Sequence, residues 1–240
     1  MEVFGKNFKV SLSVVIFFIL VLILILSFII YHRIGNSNSI WGTVFGSLAA
    51  GMIVAIIQYI IAWNDYKQTV KLKELRLIEV LLNRAKRNKY EEFIKNASRN
   101  LDVMGVTACR FFNDFADTSN GAPDNATVLL RALERGVQVR VLLPADDYLP
   151  TSKRTDSEKV NKKYEELSHQ YDNIMIKYFE HSAAHSIFRI DDTCIIGPVF
   201  PELESRNTPA LHVKKSSPIA LNYMDYFESE WKKAKNSRNA

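Results

Sequence analysis

From Val10 to Tyr31 the chain reads VSLSVVIFFILVLILILSFIIY, an uncharged run of 22 residues. At 1.5 Å per residue such a run covers about 33 Å as a helix, enough to cross the hydrocarbon core of a bilayer. A second uncharged run, Ile40 to Trp63, follows after the eight residues HRIGNSNS. Two spans so closely linked are expected to lie side by side as an antiparallel transmembrane hairpin over residues 1–63, with spans at about 10–31 and 40–63. A cleaved signal peptide is the competing reading, because Lys6 and Lys9 give a basic start. The apolar stretch is longer than the usual ~7–15 residues, however, and no small-residue cleavage site follows it. After Trp63 the pattern changes. Asn64 to Asn88 has no Pro or Gly and repeats Leu72, Leu75, Ile78 or Glu79, and Leu82 among many Lys, Arg and Glu. That spacing predicts an amphipathic helical stalk over 64–89.

Beyond the stalk the apolar pattern shortens and alternates. Leu101 to Val106 (LDVMGV) is a short apolar run, followed by a segment over 107–123 that reads as a loop. Asp124 to Gly136 (DNATVLLRALERG) opens on Asp, keeps a helical apolar period and closes on Gly, as a capped helix does. Val137 to Leu143 (VQVRVLL) alternates and stops at Pro144. Strand, helix, strand is the unit from which a parallel sheet is built by a right-handed crossover. A polar helix is expected around Ser157 to Gln170, then strands at Ile174–Phe179, Ser186–Ile190 and Cys194–Ile196, the last two joined as a hairpin by Asp191-Asp192-Thr193. The chain closes with a helix in which Ser217 is the N-cap, Pro218 the first helical residue, and Leu221, Met224, Phe227 and Trp231 share one side. The expected fold class is α/β, with one mixed-sheet domain over residues 90–240.

The overall composition, 48% apolar and 24% charged, averages a greasy segment and a charged one. About 150 to 175 residues remain outside the hairpin, enough for one core. Charge orients the hairpin. Lys6 and Lys9 precede the first span, Arg33 alone is a permanent cation in the connecting segment, and Lys67, Lys71, Lys73 and Arg76 follow the second span. The positive-inside rule then puts both termini in the cytoplasm, at the cell inner membrane. There the sequons at Asn96 and Asn125 are idle. Cys109 and Cys194 lie far apart without metal-ligand spacing, so neither a disulfide framework nor a zinc site is indicated. No cofactor is implied. The second span places Gly42, Gly46 and Ala50 at a spacing of four, with Gln58 further along. Small residues in that pattern let membrane helices approach closely, either the first helix of the same chain or a second copy.

Candidate chemistry sits in HSIFRIDD, where His185 and Asp192 stand seven apart. That separation resembles the first and last members of the HxKxxxxD motif of the phospholipase D superfamily. The resemblance extends over about residues 90–235: an LLRALERGVQVRVLLP-like helix and strand, the His-bearing hairpin, an Asn-Thr-Pro stretch at 207–209 and an aromatic C-terminal helix ending FESEWKKA. It implies that the histidine attacks phosphorus, the lysine two residues on holds the phosphate, and the aspartate orients a histidine. Here Ile187 stands where the family has lysine, and an uncharged side chain cannot offer the cation a phosphoryl transition state requires. Arg189, four residues from His185, points to the same strand face and is the available substitute. His181 and His185 have the four-residue spacing of helical metal ligands, without a third ligand. His185, Arg189 and Asp192 are therefore expected to be a vestigial motif or a ligand-binding set, with no catalysis.

A degenerate catalytic fold behind two short spans is similar in layout to the two-transmembrane effectors of bacterial anti-phage systems, in particular those encoded with a retron reverse transcriptase. That similarity implies a membrane-perturbing effector, self-associating in the lipid bilayer. It also implies that a complex of reverse transcriptase and nucleic acid (RNA-DNA) acts as its inhibitor. Two rival readings are a membrane-tethered phosphodiesterase, nuclease or phospholipase, and a nucleotide-binding receptor without toxic action.

Overall fold

The computed structural model describes residues 12–34, 40–200 and 202–238. The chain divides into two compact units between Lys71 and Leu72. Lys6, Lys9, the first residues of the first span and the tip of the hairpin lie outside the described residues.

In the first unit, α1 (Leu12–Ile34) and α2 (Ile40–Glu74) are both long and apolar enough to cross a membrane. Gly42 is buried, and a Cβ on Gly46 would sit 3.5 Å from the Tyr31 ring, so this side of α2 faces α1. The rings of Phe17 and Tyr59 meet 6.1 Å apart between the same two helices. The expected Gly42-Gly46-Ala50 stripe splits. Four residues turn a helix by about 400°, so a spacing of four drifts about 40° per step, whereas a heptad drifts about 20°. Ala49 therefore returns towards α1, while Ala50, Gly51, Ser47 and Gln58 are exposed.

The helical stalk expected over 64–89 is overturned beyond Glu74, because Leu77–Leu81 is strand β1. LRLIEVLL satisfies a helical period and a strand equally well, and pairing with distant β7 decides between them. The remaining elements of the second unit are α3 (Arg87–Asn96), β2 (Asn100–Met104), α4 (Cys109–Phe115), α5 (Val128–Glu134) and β3 (Gln138–Pro144). They continue with α6 (Arg154–Ser168), β4 (Ile174–Phe179), β5 (His185–Ile190), β6 (Thr193–Pro198), β7 (Ala210–Lys214) and α7 (Pro218–Lys233). Helix α4 lies within 107–123, which the sequence pattern left as a loop; it is a single buried two-turn helix whose N-cap, Ala108, makes no side-chain hydrogen bond.

The seven strands form one mixed sheet in the order β1-β7-β6-β5-β2-β3-β4. β2, β3 and β4 are parallel, as the strand–helix–strand pattern predicts, and the other pairs are antiparallel. Helices α3 to α6 cover one face, where Ile94, Phe112, Leu129 and Leu167 meet Leu101, Val141, Ile176 and Phe188. Helix α7 covers the other face, where Ala220, Met224 and Phe227 meet Met104, Leu142, Ile187 and Val213. Ser217 caps α7 by accepting a hydrogen bond from the Ile219 amide. Leu221, expected on the buried side of α7, is exposed.

Candidate functional site

Strand β5 presents His185, Ile187 and Arg189 to the face under α7, and Phe188 and Ile190 to the opposite face. Its three α7-facing side chains meet different fates. The Ile187 side chain is fully buried in the core, at 0% exposure. Arg189 is opposite Asp102 of β2, and its Nη1 donates to Asp102 Oδ2 at 2.8 Å. His185 lies at the start of the strand with its ring edge against Tyr223 and Tyr226 of α7, both at 5.2 Å between centroids. Its Nδ1 is buried and has no hydrogen-bond partner among the described residues.

Asp102 is the centre of a network. It is buried at 0% exposure and receives Arg189 from one neighbouring strand and Arg140 from the other, the Arg140 guanidinium donating at 2.7 and 3.0 Å. Arg140 also donates to Glu228 of α7 at 2.5 and 3.1 Å and lies over the rings of Phe227 and Trp231. Burial disfavours the Arg140 cation, but its hydrogen bonds to Asp102 and Glu228 outweigh that and raise its pKa. The same hydrogen bond from Arg140 holds the Glu228 carboxyl below its ordinary range. Two arginines and two carboxylates thus neutralise one another where the sheet meets α7. Sequence reasoning missed this set, although a signal existed: LDVMGV, VQVRVLL and HSIFRI each carry one charge inside an apolar strand. A charge in that position needs a partner.

Asp192 is not near His185. Five further strand residues and Asp191 separate them, about 20 Å of extended chain, and Asp192 is exposed, paired with Arg99 at 2.7 Å. It is the neighbouring Asp191 that ties the hairpin down. Asp191 adopts φ +46° and accepts from the Ser98, Arg99 and Asn100 amides and the Ser98 hydroxyl at 2.9 to 3.0 Å. Burial pushes its carboxyl up, but these hydrogen bonds prevail and hold it below the usual carboxylate range. His181, the other half of the metal-type spacing, is engaged elsewhere, its Nε2 3.0 Å from Glu230 Oε2. Among the described residues no group of three or more His, Cys, Asp or Glu side chains is arranged to hold a metal ion.

The His185 end of the sheet carries one more unusual group. Arg84, just beyond β1, is buried with 6% exposure and has no carboxylate partner among the described residues. Its Nη2 donates to the Pro198 carbonyl at 3.2 Å and to the Thr208 hydroxyl, and its Nε is buried without a partner. Pro198 is the residue paired with His185 in the β5–β6 register. Burial, with Arg110 nearby, pushes the guanidinium pKa down.

In chemical terms, phosphoryl transfer needs a cation on the phosphate beside the nucleophile. Ile187 offers none, and Arg189 is committed to Asp102 and only 8% exposed. Arg189 therefore does not take the place of the missing lysine. What the geometry brings together is a structural ion network in the middle of the strands, and at one end a histidine and an arginine with unused hydrogen-bonding atoms.

No protein-family model and no curated protein matches the sequence. Among solved structures the chain is similar to NucT from Helicobacter pylori, at 13% identity and a TM-score of 0.44, over 66% of this chain and 98% of that one. It is also similar to Nuc, a phospholipase D family member from Salmonella typhimurium, at 14% identity and a TM-score of 0.40, over 64% and 91% of the two chains. TrmBL2, an archaeal chromatin protein, aligns at 12% identity and a TM-score of 0.43 over 80% of this chain and 71% of its own.

Proposed function

We propose that this chain is a two-span membrane protein whose α/β domain binds a partner without catalysing a reaction. On this reading it serves as an effector of bacterial anti-phage defence, perturbing the inner membrane when that partner releases it. The observation that carries the non-catalytic part is the closed centre of β5: Ile187 is in the core and Arg189 is spent on Asp102. Both termini are cytoplasmic on this reading, by the excess of Lys and Arg outside the two uncharged runs. The effector part draws on the similarity of layout to retron-encoded two-span effectors, for which a reverse transcriptase with its RNA-DNA product is the inhibitory partner.

Self-association would use the outer face of α2. Gly46 is occupied by Tyr31 of the same chain, whereas Gly51 has nothing within 4 Å of where a Cβ would stand, and Ser47, Ala50 and Gln58 share its exposure. Close approach between such faces is the main attraction available to helices in lipid. The test is membrane potential, followed by dye, in cells expressing the chain without a partner. Gly51→Leu should depolarise cells far less than the parent at equal membrane abundance, while Gly46→Leu should instead disturb the packing of α1 on α2. A parent chain that reaches the membrane and leaves the potential unchanged would sink the effector reading.

The unpartnered Nδ1 of His185 favours the second reading, a membrane-tethered phosphodiesterase. His185→Ala separates the two. The effector retains its activity, and a tethered enzyme loses it in a protein that still folds and reaches the membrane.

A further inference from the structure

Where α2 ends, the second unit carries an open cleft of about 430 Å³ lined by Lys73, Arg76, Leu77, Ile78, Lys214 and Ser216. Its three cations come from three places: the last turn of α2, the two-residue connection to β1, and the end of β7. None of the three makes an ion pair with a carboxylate among the described residues, and no acid lines the cleft. Glu79, the nearest acid on β1, is already paired with Lys89. Like charges held together without a counter-charge repel one another, and an anion relieves that cost.

The backbone around the cleft is firmly built. Arg76 is held at φ +50°, its Nη1 donates to the Ser216 carbonyl at 3.0 Å, and its own carbonyl accepts from the Lys214 amide at 3.1 Å. The Leu75 carbonyl accepts from the Ser217 hydroxyl at 2.5 Å, and the Lys73 carbonyl accepts from the Arg76 amide. The Lys73 carbonyl in the last turn of α2 and the two carbonyls that follow the helix are thereby occupied, so these three do not repel an anion as free ones would. One wall is apolar: Ile78 is 48% exposed and Leu77 partly so.

We infer that this cleft is a docking site for the phosphate of an anionic phospholipid headgroup. The inference rests on the reading that α2 crosses a bilayer. Tyr59, Trp63 and Tyr66 stack along one side of α2, with centroids 6.4 and 6.0 Å apart and Lys67 over Trp63, the residue types that sit at headgroup level. Ten residues of helix from Trp63 to Lys73 cover about 15 Å. The cleft is thus tied to the headgroup level by a short stretch of chain, and the wall of Leu77 and Ile78 suits the glycerol and first methylenes of a lipid better than a bare ion. Lipid bound in the cleft then makes the chain's hold on the membrane depend on lipid composition.

The test uses the full-length chain in mild detergent, titrated with dioleoylphosphatidylglycerol or dioleoylphosphatidylcholine and read by native mass spectrometry. The parent should retain phosphatidylglycerol in preference to phosphatidylcholine. Each Lys or Arg near an anionic surface contributes about 1 kcal/mol, or about fivefold, so the double substitution Lys73→Ala with Lys214→Ala should weaken phosphatidylglycerol binding about 25-fold. Both lysines are exposed, and unchanged near-ultraviolet circular dichroism would establish that the variant folds. Arg76→Lys keeps the charge and should keep the preference. Equal retention of the two lipids, or an unchanged preference in the double variant, overturns the inference. So does inorganic phosphate that displaces the lipid at equal concentration, since the cleft would then serve a free anion. Alkaline carbonate extraction of the chain from cell membranes tests the other premise: release would sink the membrane reading itself, and retention without a lipid preference sinks the docking site alone.

Discussion

At its Asp191 end β5 is closed by a carboxylate that accepts four hydrogen bonds from Ser98, Arg99 and Asn100, and at its centre Arg189 is neutralised by Asp102. At its His185 end, His185 Nδ1 is buried without a partner among the described residues, and so is Nε of Arg84, which donates to the carbonyl of Pro198, the register partner of His185. The first two arrangements hold the sheet together through charge-paired hydrogen bonds, although Arg189 Nε is itself buried without a partner among the described residues. The third has no such pairing, and a buried polar atom without a partner costs free energy that a ligand can recover. One strand thus carries two strongly hydrogen-bonded carboxylate contacts, at Asp191 and Asp102, and at its other end a histidine without such a partner. His185 at the start of β5, Arg189 on Asp102 and Asp192 on Arg99 lie at different points along the hairpin.

The largest effect expected from breaking these contacts comes at the centre. Asp102→Ala leaves Arg140 and Arg189 facing each other with only Glu228 as counter-charge, and loss of one partner from a buried ionic network costs about 3–5 kcal/mol. Urea denaturation of the full chain in mild detergent, followed by near-ultraviolet circular dichroism, measures it; a cost below about 1 kcal/mol would show that the network is dispensable. Asp191→Ala should cost less, about 1–3 kcal/mol, for the backbone amides it strands. That cost depends on pH with a definite sign. The native Asp191 carboxyl titrates below its unfolded value of about 3.9, so its contribution is complete above that pH and is lost as pH falls through the native value. Parent and variant stabilities should therefore draw together as the pH falls below that value, and a difference that does not narrow on acidification would assign the effect to something other than the carboxylate. At the open end, His185→Ala should change stability by no more than about 0.5 kcal/mol. A larger loss would place His185 with the residues that maintain the fold.

Much of the α/β unit was legible from the sequence because its signals are local. Ser217 and Pro218 announce α7, Gly136 at φ +85° ends α5, and the alternation of VQVRVLL reads directly as β3. What escaped depends on distance along the chain. β1 fits a helix until β7 pairs with it, and α4 is too short and too poorly capped to stand out, its burial among α5 and α6 supplying what its own sequence does not. The candidate site was legible only as a spacing. His185 and Arg189 do share a face, as a period of two requires, but the occupant of that face opposite Arg189 is Asp102, 87 positions earlier in the chain, and no local pattern names it.

The pairing of β1 with β7 also sets the timetable on which the chain matures. In register, Leu81 lies opposite Ala210 and Leu77 opposite Val213, so the first strand to be synthesised finds its neighbour only after some 130 further residues. At about 5–20 residues per second that takes roughly 7 to 26 s. Throughout it Ile78, Val80 and Leu82, exposed even in the finished fold, adjoin a helix that is long and apolar enough to cross a membrane. A nascent chain in this state has an unpaired, apolar edge of the kind that recruits other strands, and premature termination anywhere before Ala210 leaves that edge open for good.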